Sequence, residues 1–121
     1  MTKNQNSKRF DLEDRTLEFA RNVRKFVKKL PKTIANIEDC KQLIKASGSV
    51  GANYIEANES LSKKDFRMRI KICRKEAKES RYWLRLVDVS NNDALEKDRK
   101  TLITEASELM NIFGSILQKS K

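Results

Sequence analysis

The chain has 121 residues, and 27 Lys and Arg against 17 Asp and Glu leave it with a formal net charge of +10. The absence of His excludes the Ser-His-Asp and Cys-His triads, His-bearing zinc sites and the Glu-x-x-His di-iron motif. Three Gly and one Pro are too few for the frequent turns of a many-stranded sandwich or barrel, and the length holds one domain with one modest core.

Residues 1–9 are polar, and residues 1–10 read as a flexible arm; residues 11–121 read as the folded domain. The arm lacks the apolar stretch of a signal peptide, and no apolar run reaches the ~18 residues of a membrane span. The expectation is a soluble cytoplasmic protein with no membrane partner. Asp11 is a candidate N-cap, with Asp14 suited to the positive end of the helix dipole. Leu12, Leu17, Ala20, Val23, Val27 and Leu30 form the first helical stripe, flanked by Phe19 and Phe26, and the helix ends before Pro31. Thr33 can cap a second helix, whose stripe is Ile34, Ile37, Leu43, Ile44, Ser47, Val50, Tyr54 and Ile55, running to about Ala57. Gly48 and Gly51 lie within it. Each costs about 1 kcal/mol relative to Ala, which close approach of another backbone would offset.

Ser60 to Ser62 form a short connection, with Ser62 and Asp65 as a capping pair. The third helix is predicted from about Lys63 to Val89. Its seam of Phe66, Ile70, Cys73, Ala77, Ser80, Leu84 and Val87 alternates steps of four and three, a heptad rhythm. Ser90 to Asp93 interrupt the chain, and Asn92 or Asp93 caps a fourth helix with stripe Leu95, Leu102, Ala106, Leu109, Phe113 and Ile116. Four helices with short connections predict an all-α, antiparallel up-down-up-down four-helix bundle.

A turn of ~100° per residue gathers Lys64, Arg67, Lys71, Arg74, Lys75, Lys78, Arg81 and Arg85 of the third helix within an arc of about 120°. Such a stripe suits phosphate backbone, of RNA or DNA; the competing reading is a solvated face partly neutralised by a neighbouring helix. Lys and Arg on phosphate carry no base specificity. A second arc carries Met68, Ile72, Trp83 and Leu86 with Glu76 and Glu79 among them. It reads as an oligomer interface, or else as a wide core face with a snorkelling Trp edge.

Glu56, Glu59, Glu76 and Glu79 could form a carboxylate metal or acid/base site, but di-iron bundles want His partners. Ion pairing with Arg74, Arg81, Arg85 or a neighbouring subunit is the simpler reading. Tyr54, Tyr82 and Trp83 could stack on bases, though packing suits their helical spacing better. Cys40 and Cys73 read as small core residues of a reducing compartment, with a disulfide as the weaker alternative. The glycines form no phosphate loop, so no catalytic residue, metal or cofactor is assigned.

Three stretches, Leu43 to Ala57, Ser62 to Phe66 and Lys75 to Leu84, together resemble the bacterial four-helix-bundle family named for 23S rRNA intervening sequences, also labelled S23 ribosomal protein. Leu17 to Arg21 and Leu30-Pro31 fit as well, so the resemblance spans about residues 12–119. It implies an antiparallel bundle assembled as a ring-like homopentamer, and it transfers no catalytic residue. It also implies that Ser47, Gly48, Ser49, Gly51 and Ala52 let the second helix pack closely, and that Asn53 and Glu56 join Glu76 and Arg81 in a polar network. The expected function is that of a non-enzymatic basic homo-oligomer binding RNA or DNA through phosphate contacts. The alternative is a structural or adaptor oligomer for a protein partner, its charge serving solubility.

Overall fold

The computed structural model describes residues 12–121. The expected N-terminal arm and the Asp11 cap lie outside the described residues. Four helices follow in order: α1 (Leu12–Lys28), α2 (Ile34–Asn58), α3 (Lys63–Leu86) and α4 (Asp93–Lys119). Among the described residues there is no strand, and no helix is long and apolar enough to cross a membrane. Successive helices pack on one another and α4 closes on α1, while the backbones of the diagonal pairs α1/α3 and α2/α4 stay apart. The chain therefore folds as the expected four-helix bundle.

Local chemistry sets the helix starts. Thr33 Oγ1 accepts from the Asn36 amide at 3.1 Å, Ser62 Oγ from the Asp65 amide at 3.0 Å, and Asn92 Oδ1 from the Leu95 amide at 3.0 Å. Each satisfies one of the N–H groups that a helix start leaves without a partner. Asn92, rather than Asp93, is the cap of α4.

Phe19, Phe26, Leu43, Ile70, Leu84, Leu109 and Phe113 centre the core, all essentially inaccessible to solvent. Phe19 and Phe26, expected at the flank of the α1 stripe, lie at its middle. Leu17 is instead 48% exposed, because the step of five from Leu12 rotates it off the stripe. Ile34, Ile37 and Ile55 likewise leave the expected α2 stripe for the surface. Both cysteines are buried and free, so the disulfide reading is set aside. Burial pushes the Cys73 thiol up to about 12.

Gly51 brings α1 and α2 together. A Cβ there would lie 2.8 Å from Thr16 Oγ1 and 3.2 Å from Thr16 Cβ. Gly48 meets only the end of the Arg24 side chain, at 3.5 Å. Of the two glycines, close approach accounts for Gly51 alone. Side-chain bridges join α1 and the turn after it to α4: Arg15 donates to Glu105 at 2.7 and 2.9 Å and to Glu108 at 2.7 Å, and Lys29, just past α1, pairs with Asp98 at 3.3 Å.

Candidate nucleic-acid interface

The heptad seam that buries Ile70, Cys73, Ala77 and Leu84 turns the opposite side of α3 outward. The eight predicted cations all occur on this outward side, and all but Lys75 divide into two groups. Arg67, Arg74 and Arg81, seven residues apart, lie on the edge that meets α4. Arg67 Nη1 donates to the Leu117 carbonyl at 2.7 Å and to Ser120 Oγ at 2.8 Å. Arg81 Nη1 donates to Ser107 Oγ at 3.2 Å. The Arg74 guanidinium passes over Gly114, where a Cβ would lie 3.9 Å from its Nε. Small residues on α4 and at its C-cap, Ser107, Gly114 and Ser120, leave room for this arginine row. Arg67 also places a cation at the C-terminal end of α4, where the helix dipole favours one.

Lys64, Lys71, Lys78 and Arg85 form the outer row and are exposed. At 1.5 Å rise per residue they recur about every 10 Å and span about 31 Å. Among the described residues no carboxylate pairs with any of these four or with Arg67, Arg74 or Arg81. Of the eight, Lys75 alone has a carboxylate within 4 Å among the described residues, that of Glu76 at 3.8 Å. The neutralising neighbour helix of the competing reading is thus not what α4 provides. It offers hydroxyls, a carbonyl and a glycine.

The other edge of α3 meets α2. Here Arg69, not singled out from the sequence, donates to Asn53 Oδ1 at 3.0 Å, and Asn53 Nδ2 donates to the Ser49 carbonyl at 2.9 Å. Glu76 is on this edge, largely buried; desolvation and the charge of Glu79 raise its carboxyl above the usual carboxylate range, against the pull of Lys75 and Lys45. The expected network of Asn53, Glu56, Glu76 and Arg81 does not form. Arg81 projects from the opposite edge of α3 and Glu56 is exposed. Nor do Arg74, Arg81 or Arg85 pair with Glu56, Glu59, Glu76 or Glu79, because helical rotation separates the two sets. Among the described residues no group of three or more His, Cys, Asp or Glu could hold a metal ion.

The second apolar arc is divided as well. Met68 is 48% and Leu86 50% exposed, whereas Ile72 and Trp83 are partly buried, with Trp83 packed against the core. Tyr82, 57% exposed, stands edge-on to Trp83 with ring centroids 4.9 Å apart. Tyr54 packs against Phe113 across the bundle, which settles its reading as a packing residue.

Among curated proteins nothing matches the chain. It is similar to the crystal structure of a protein of unknown function from the S23 ribosomal protein family of Bacteroides thetaiotaomicron, with 28% identity and a TM-score of 0.75. That similarity covers 87% of this chain and 96% of the other. The family described as 23S rRNA-intervening sequence protein matches residues 8–115, and with these helices and this central run the chain belongs to that family.

Proposed function

We propose that the protein is a non-enzymatic homo-oligomer that grips the phosphate backbone of RNA or DNA without reading base sequence. The observation that carries this reading is the exposed row Lys64, Lys71, Lys78 and Arg85, which has no acidic partner among the described residues. An un-neutralised cation row attracts polyanions, and each phosphate contact releases counterions. The exposed Met68 and Leu86 support assembly of several copies, and the pentamer that the family resemblance implies would repeat the row around a ring. Free buried thiols suit a reducing, cytoplasmic setting.

Filter binding of RNA and DNA across a salt series tests the reading. Binding is expected to be tight at ~50 mM salt and to fall steeply as salt rises. Changing Lys64, Lys71, Lys78 and Arg85 to Gln should weaken binding at that salt and reduce the salt slope by roughly 0.7–0.9 per lost contact. Arg67 is left in place, since its removal would also unpair the end of α4. A parent protein that binds neither polymer at ~50 mM salt would overturn the reading.

A further inference from the structure

We propose that each protomer carries a second phosphate-binding face, on α1, and bridges two separate double-helical nucleic-acid segments. This rests on the nucleic-acid reading above and adds a second, independent surface to it.

The distribution of charge in the fold carries the inference. Residues 19–37 contain six cations and no acid, and residues 63–86 contain ten cations and three acids. These two stretches hold net charges of +6 and +7, against +10 for the whole chain, so all other residues together net −3. The basic stretches therefore account for the entire positive excess. They map to the C-terminal half of α1 with its following loop, and to α3. Those helices are diagonal to each other, with α2 and α4 between them. Their outward sides face away from one another across the bundle.

On α1 the outward cations are Arg21, Lys25 and Lys28, continued by Lys32 after the helix, and all four are exposed. Among the described residues Lys25, Lys28 and Lys32 have no ion pair, and Arg21 has only Glu18 at 3.9 Å. Lys29 is engaged by Asp98, and Arg24 is folded over Gly48, so neither belongs to the free set.

Two magnitudes decide between one wrapped ligand and two. Helix axes about 10 Å apart put the diagonal pair about 14 Å apart, and their outward side chains more than about 20 Å apart. That exceeds the Debye length of about 10 Å at 0.1 M salt, so the two faces attract polyanions independently. A duplex with a persistence length of about 50 nm does not bend around so thin a body. Two faces therefore take two segments.

The test uses short RNA duplexes, with DNA duplexes as a parallel arm. The number of duplexes bound per protomer at saturation is measured by titration, a ratio that does not depend on how many protomers assemble. Binding of a single duplex is measured separately, and helicity and oligomeric mass confirm each variant's fold. The parent protein is expected to bind duplexes at two sites per protomer. The variant with Arg21, Lys25, Lys28 and Lys32 changed to Gln should keep single-duplex affinity within about twofold, since the α3 row remains. Its stoichiometry should fall to half that of the parent. The variant with Lys64, Lys71, Lys78 and Arg85 changed to Gln should also fall to half, and the α1 face it keeps should bind more weakly than the parent. An α1 variant with the parent's stoichiometry would overturn the inference while leaving the nucleic-acid reading intact. Loss of single-duplex binding in the α1 variant alone would also overturn it, by making α1 the only site. A parent that binds no duplex at all would overturn both, and the single-duplex measurement identifies that case.

Discussion

Gly51 and Gly48 lie one helical turn apart and have different reasons to be small. Both carry the helix-propensity cost of glycine, about 1 kcal/mol relative to Ala. At Gly51 an added methyl would press on Thr16, which is itself buried and hydrogen-bonded to the Leu12 and Glu13 carbonyls. Gly51→Ala should therefore destabilise by about 1–3 kcal/mol through overpacking. At Gly48 only the flexible end of Arg24 must yield, so Gly48→Ala should stabilise by up to about 1 kcal/mol. Thermal unfolding of the two variants should show shifts of opposite sign. Glu76 permits a second check at this scale. Its carboxyl pKa is raised in the folded state, so the folded state holds its proton more tightly than the unfolded chain does. The stability linked to this group is complete below the unfolded pKa and is lost as pH rises through the folded one. Glu76→Gln should raise the melting temperature at pH 7, and the gain should shrink as pH falls through the carboxylate range. A gain independent of pH would assign the effect to something other than ionisation.

The helices themselves were legible in the sequence because their cues are local: Thr33, Ser62 and Asn92 at the starts, Pro31 after α1, and the heptad seam of α3. The end of α3 was not. Heptad spacing continues to Val87 and predicts helix to Val89, yet α3 stops at Leu86, with Val87 extended at φ −61° and ψ 149°. Two residues distant in sequence hold that end. Arg99 Nη1 donates to the Val87 carbonyl, and Arg99 also pairs with Glu96. Asn36, 2% exposed, accepts from the Asp88 amide at 2.9 Å and donates to the Asp88 carbonyl at 2.9 Å and the Pro31 carbonyl at 3.0 Å. The side chain thus mimics a short strand edge and ties the α1–α2 loop to the α3–α4 loop. Nothing in a single sequence pairs Asn36 with a backbone 52 positions away. The split of the basic stripe was hidden for the same reason, since the engagement of Arg67 and Arg81 depends on which α4 residues face them. Asn36→Ala leaves the Asp88 amide and the Asp88 and Pro31 carbonyls, all in part-buried bonds, without their partner, which should cost about 1–3 kcal/mol. Hydrogen exchange at the Asp88 amide should accelerate in the variant. An unchanged rate there would show that the clamp is not what protects this end.

At the scale of the whole molecule, six of the eight large apolar side chains exposed among the described residues, all but Ile34 and Leu61, form two groups. Met68, Tyr82 and Leu86 occur on the outer side of α3, next to the α2 boundary, while Leu17, Ile37 and Ile55 flank the α1/α2 boundary. Each group contains side chains about half exposed, more than scattered surface residues require. An isologous dimer would cover one group and leave the other in water. Pairing one group with the other on the next copy covers both, and such a heterologous contact closes into a ring when its rotation permits. The two boundaries are neighbouring sides of the bundle, set at about a right angle, which turns each successive copy and favours a small ring over a filament. Light scattering should then read a multiple of the 14.1 kDa protomer, five for the proposed pentamer. Leu86→Glu and Ile55→Glu should each abolish assembly alone, because each removes one half of every contact. Mixed together they should form a one-to-one pair of twice the protomer mass, since the Leu86 variant keeps the α1/α2 face and the Ile55 variant keeps the α3 face. An isologous contact through α3 predicts instead that Ile55→Glu assembles normally and that mixing rescues nothing. A pair that forms on mixing and grows no further establishes that the two apolar faces meet each other.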